Sequence, residues 1–354
     1  MWHSSDDDST LKRRISISVR KTLAVAWAAV LTAASVQGQD LYFSQFHEAP
    51  MLRNPALAGI FSGDYRVQAV YRNQWNSISF PYQTGSLNIE RKSTIFHSDD
   101  FLTLGLQVLY DRAGSVAMTS GHVLPVVNYH KSVSAVRSSY LSMGFFGGLV
   151  TRRLDRSKVI TNSQFDGISF NGSLPDNETF SPGYAYFDAG VGMSFNSSIG
   201  SEEKHLYFIG ASYHHFNRPV NAFYRNITHL PKWVLSTGLR LEMSEISHVT
   251  FHGDHILQSP FRQTILGGLY DRKLGDANNS TILYLGLFYR MRDALIPTIR
   301  IDLQPLNIGF SYDVTVGNAA AIARARGGFE ISMSYSGFTD RDNSAQYAVR
   351  CPKF

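Results

Sequence analysis

Ala185-Tyr-Phe-Asp-Ala-Gly-Val-Gly-Met-Ser-Phe-Asn196 sets Ala185, Phe187, Ala189, Val191, Met193 and Phe195 against Tyr186, Asp188, Gly190, Gly192, Ser194 and Asn196. Side chains of a strand alternate between its faces, so this stretch meets an apolar medium on one side and small or polar groups on the other. The same period recurs along the chain. Leu102, Leu104, Leu106, Val108 and Tyr110 alternate with Thr103, Gly105, Gln107 and Leu109; Phe329, Ile331, Met333 and Tyr335 alternate with Gly328, Glu330, Ser332 and Ser334. The pattern predicts strands near 64–72, 83–92, 101–111, 117–130, 137–151, 184–196, 203–215, 232–243, 246–255, 261–271, 280–291, 294–303, 306–313 and 326–336. Most reach the roughly 9–11 residues that a tilted strand needs to cross a bilayer.

The N-terminus sets the compartment. Lys12, Arg13, Arg14, Arg20 and Lys21 precede an apolar run from Thr22, and Val36-Gln37-Gly38 offers small outer residues for signal-peptidase cleavage between Gly38 and Gln39. This predicts a Sec-type signal peptide over 1–38. Beyond it no run approaches the roughly 18 apolar residues of a membrane helix, so a membrane location requires a closed barrel.

Composition agrees. Charged residues are 17% of the chain, below the roughly 25% of an average soluble domain, as expected where every second strand residue faces lipid. The net charge of +5 falls to +3 once the leader's five Lys/Arg and three Asp are removed. The remaining arginines are scattered as strand-end and lumen charges, which argues against a nucleic-acid partner. The single cysteine, Cys351, excludes a disulfide framework and a cysteine-based metal site.

Loop lengths add an orientation. With the N-terminus periplasmic, the two longest connections, about 152–183 and 216–231, face outward, while 131–136, 197–202, 244–245 and 304–305 face inward and are short. Long outer loops and short inner turns are the outer-membrane arrangement. Trp75, Tyr110, Trp233, Tyr289 and Tyr312 fall near strand ends, where aromatic girdles form. The expected fold is all-β: a transmembrane antiparallel up-and-down barrel of about fourteen strands over 64–336, with periplasmic N- and C-termini. A segment over 39–63, periplasmic or packed in the lumen, precedes it, and a C-terminal tail over 337–354 follows.

No nucleophile elbow, phosphate loop or His-Glu-x-x-His helix occurs, and the expectation is a non-enzymatic protein without cofactor or metal. His214 and His215 are neighbours and point to opposite faces of a strand unless it breaks between them. His248 and His252 share a face but lie about 13 Å apart at the usual rise, too far for one metal, and read with Asp254 and His255 as lumen polar groups. The residues singled out for partner binding are Asn54 and Pro55, whose pairing favours a turn, Asn73 and Trp75 at the first outer connection, and His215, Phe216, Asn217, Arg218 and Pro219 at the edge of a long outer loop. Trp75 suits a protein interface and a membrane boundary equally.

Taken in order, Gln39-Asp-Leu-Tyr-Phe-Ser-Gln-Phe46, Asn54-Pro-Ala-Leu-Ala-Gly59, Tyr71-Arg-Asn-Gln-Trp75, His214-His-Phe-Asn-Arg-Pro219, Arg326-Gly-Gly-Phe-Glu-Ile-Ser-Met-Ser-Tyr335 and Cys351-Pro-Lys-Phe354 resemble the PorP/SprF family of Bacteroidota. The resemblance spans the chain after the leader. It departs at Phe46-His-Glu-Ala-Pro50 and in the long acidic start. It implies an outer-membrane barrel of type IX secretion and gliding motility, whose partners are membrane lipid, the secretion or gliding machinery and a large secreted adhesin. The rival reading is a diffusion porin or uptake channel.

Overall fold

In the computed structural model the described residues are 40–74, 82–95, 98–134, 137–176, 178–179, 181–200, 204–220, 223, 227–275, 281–316 and 326–339. Among them fourteen strands close into one antiparallel barrel. They are β1 (Tyr65–Gln74), β2 (Tyr82–Thr94), β3 (Phe101–Ala113), β4 (Met118–Ser134), β5 (Ser139–Arg153), β6 (Gly183–Ile199) and β7 (His205–His214). The others are β8 (Lys232–Ser244), β9 (Ser247–Gln258), β10 (Phe261–Leu274), β11 (Thr281–Arg290), β12 (Ala294–Leu303), β13 (Leu306–Thr315) and β14 (Arg326–Gly337). Each pairs with its sequence neighbours, and β1 closes on β14 from Tyr65↔Gly337 to Gln74↔Gly328. Every strand read from the two-residue period is present, with ends displaced by a few residues.

The faces sort by chemistry. On β2, Thr84, Ser86, Asn88, Glu90 and Lys92 point into the lumen and are buried, while Leu87 and Ile89 are exposed on the outside. Leu104, Val123, Phe145, Leu149 and Phe187 continue the exposed outer band. Exposed apolar side chains around a closed barrel are what a lipid solvent selects. No described helix is long and apolar enough to cross a membrane.

The hydrophobic core lies inside. Phe46 packs with Ile265, Leu269, Tyr284, Phe288 and Ile296; Met51 and Ala58 with Leu124, Val126, Phe146 and Val150; and Phe43 and Ala49 with Val70 and Leu109. Each cluster joins one or two residues of the segment before β1 to residues of the inner wall. Fully burying one such large side chain contributes about 1.5–3 kcal/mol, so the segment is an integral part of the folded barrel.

Candidate functional site: a plugged lumen and an ordered long loop

Residues 41–63 cross the lumen from one rim to the other. Tyr42 stands at the rim where β1, β11 and β13 end: its carbonyl accepts from Arg72 at 3.0 Å, and its ring lies under the Arg72 and Arg290 guanidiniums at 5.0 and 5.2 Å. Asp64, just before β1, lies at the opposite rim, where its backbone N–H donates to the Gly337 carbonyl. The first rim carries the long connections; it is called the long-connection rim below.

Three sets of contacts hold this plug. At the long-connection rim the Ser44 and Gln45 N–H groups donate to the Glu330 carboxylate at 2.6 and 2.7 Å. Ser44 Oγ donates to Asp313, which also receives Arg290 at 2.7 Å and Arg72 at 3.1 Å. Midway, Arg300 and Gln68 donate to Glu48 at 2.7 and 2.6 Å. Arg53 grips Asp254 with two parallel bonds of 2.7 and 2.5 Å while stacking over Phe46. Towards the other rim the Gly59 N–H donates to Glu90, Lys92 Nζ donates to the Phe61 carbonyl, and Asn128 donates to the Ala56 and Ala58 carbonyls. The lumen charges named here are therefore bonded within the protein. Arg290 is 1% exposed.

Local sequence explains the path. Pro50 occupies the first turn of the short helix α1 (Pro50–Arg53), where its missing N–H costs nothing. The Asn54 carbonyl oxygen of the side chain accepts from the Ala56 N–H at 2.8 Å, starting the turn over Pro55–Leu57. The Asn54 amide donates to the Met193 and Ala211 carbonyls. Asn54 and Pro55 sit against Gly144 of β5 and Gly192 of β6, where any Cβ would run into the Pro55 backbone or the Asn54 side chain. Glycine is required here by the close approach of two backbones.

The other singled-out residues separate. Asn73 lies on β1 near the long-connection rim; Trp75 and the cleavage pair Gly38 and Gln39 lie outside the described residues. His215 takes a positive φ of 57°, so the strand breaks directly after His214 and both rings are buried, 6.2 Å apart. His215 Nδ1 bonds the Asp188 carboxylate at 2.8 Å and its ring meets His229 edge-on. The Asn217 amide donates to the Phe187 carbonyl, the Arg218 N–H donates to the His215 carbonyl, and the Pro219 carbonyl accepts from the His229 N–H. Phe216 turns outward against Phe145. These five form a knot that fastens the start of the 215–231 connection to β6. Of the other histidines, His248 bonds Asp271, His252 stacks on His47 within the plug, and His255 bonds Thr264.

Sequence reasoning missed the best-exposed feature of the long-connection rim. The 154–182 connection folds on itself: Phe165 bridges to Phe170 with rings 5.2 Å apart, and the Asn171 N–H donates to the Gln164 carbonyl. Asp166 accepts from the Ile168 and Ser169 N–H groups. These bonds hold its carboxyl below the usual range. Asp176 is likewise lowered, by the Glu178 N–H, the Thr161 hydroxyl and Arg156. The tip presents Ile168, 93% exposed, flanked by half-exposed Phe165 and Phe170. The available signal was Asp166-Gly167 between two aromatics, a turn dipeptide in a hairpin setting.

Among solved structures, the chain is similar to a Pseudomonas aeruginosa FadL homologue, 9% identical, covering 82% of this chain and 94% of that one with a TM-score of 0.47. It is also similar to the P. putida toluene transporter TodX, 10% identical, covering 81% and 93% with a TM-score of 0.47. The Ralstonia pickettii toluene transporter TbuX matches at 10% identity, 81% and 92% coverage and a TM-score of 0.46. No curated protein matches the sequence. The family described as type IX secretion system membrane protein PorP/SprF matches residues 35–335. With nearly the whole chain matched, the protein belongs to the PorP/SprF family.

Proposed function

We propose that this chain is an outer-membrane barrel that holds a large secreted surface protein, an adhesin, at its long-connection rim, or assists its export, and couples it to the type IX secretion or gliding machinery. The long-connection rim faces outward and the short turns face the periplasm. On this orientation β1 begins and β14 ends on the periplasmic side. The observation that carries the reading is the plug: 41–63 occupies the lumen with apolar contacts and buried ion pairs at three levels, which favours a scaffold over a diffusion porin. The ordered loop with its apolar tip supplies the kind of surface that protein partners bury.

The test replaces 160–175 with a short Gly-Ser linker in the producing cell. Heat-modifiable mobility of the barrel is expected to persist, while the exported cargo is lost from the cell surface or stalls before it. Undiminished export together with undiminished surface retention would reject the reading.

A further inference from the structure

We infer that the outward face of β3–β5, at the long-connection rim, binds the phosphate of a lipid headgroup. The antiparallel register sets Arg112 opposite Thr119 and Thr119 opposite Arg153. Two arginines thus flank β4 at one level, their Cα atoms about 10 Å apart at the usual strand spacing. Both side chains are exposed, and neither makes an ion pair among the described residues.

Their setting differs from the rest of the rim. Tyr213, Trp233, Tyr289 and Tyr312 supply outward rings elsewhere, the aromatic girdle of a barrel. On β3–β5 the girdle, continued by Tyr110, is topped by an outward Arg-Thr-Arg row. Two residues nearer mid-barrel on the same face come Tyr110, Gly121 and Thr151, the outward row below the two arginines. The Arg153 stem lies over Gly183 of β6, where a Cβ would stand 3.0 Å from its Cγ. No carboxylate faces outward in either row among the described residues.

Below that row the register continues through Val108, Val123, Leu149 and Phe187, all on the outer face. The last three are about half exposed or more. A cationic pair with hydroxyls above an apolar wall matches an amphiphile: the guanidiniums take phosphate oxygens by charge-assisted bonds and the wall takes acyl chains. Free phosphate would use only the upper half. This is why the structure assigns a lipid rather than a soluble anion. Naming the ligand as a phosphorylated glycolipid of the outer leaflet rests on the orientation proposed above; the binding itself does not.

The experiment titrates the purified full-length barrel in detergent with lipid A carrying its phosphates, with dephosphorylated lipid A, and with inorganic phosphate, reading bound lipid by native mass spectrometry. The native chain is expected to retain the phosphorylated lipid. The Arg112→Gln, Arg153→Gln double variant is expected to bind it at least about tenfold more weakly with unchanged heat-modifiable mobility. Equal retention by the variant, equal retention of the dephosphorylated lipid, or displacement of the lipid by inorganic phosphate at comparable concentration would overturn the assignment. Should the double variant fail to fold, R112Q and R153Q singly carry the same comparison. Protease accessibility of the 154–182 loop on whole cells tests the orientation separately.

Discussion

Arg53 and Asp254 are 201 positions apart and form the best-defined ion pair between plug and wall, bidentate and almost fully buried. Removing one partner of such a pair leaves a buried charge alone, at a cost of about 3–5 kcal/mol, whereas replacing both with apolar groups of similar size is often neutral. Asp254→Ala is therefore expected to lower markedly the temperature at which the folded band converts in a gel, and Arg53→Met with Asp254→Leu to restore most of it. An unchanged conversion temperature in the single variant would mean that the plug is not held by this pair. At this scale little was legible. Nothing local marks Asp254 as the partner of Arg53, because the pairing is made by barrel closure and not by spacing. Similarly, His214 and His215 read as opposite-facing strand neighbours, and only the positive φ at His215 brings both rings inside.

The strands were the most legible elements, since lipid outside and polar groups inside impose the two-residue period directly. The loops were least legible. The 154–182 connection has no period, and its order comes from side-chain-to-backbone bonds centred on Asp166 and Asp176. Both carboxyls are held below their usual range in the folded loop. A depressed folded value means that the stabilisation is fully present above the ordinary Asp pKa of about 3.9 and is lost as pH falls through the folded value. With an acid-stable protease, the loop is expected to resist cleavage at a pH above the ordinary Asp range and to be cut more readily at a pH well below it, with the barrel intact at both. Equal cleavage at both values would show that these carboxylates do not order the loop.

At the scale of the whole molecule, the barrel wall and the plug bury their apolar side chains together in several clusters. The inner-wall residues Phe288, Ile296, Val126 and Val150 are buried in clusters completed by Phe46, Met51 and Ala58 of the plug. The apolar character of 39–63 was readable from its Phe, Tyr, Leu and Met residues; its course from the long-connection rim to the start of β1 was not, because direction through a lumen leaves no periodic trace. The pairing of Gly144 and Gly192 with Asn54-Pro55 was visible only as glycines inside strands. The central claim, a barrel closed by its own chain and working as a holder, is tested most directly by single-channel recording of the purified full-length protein in planar lipid bilayers. The account predicts inserted protein with no steady ionic conductance; a stable open channel at low voltage would contradict it.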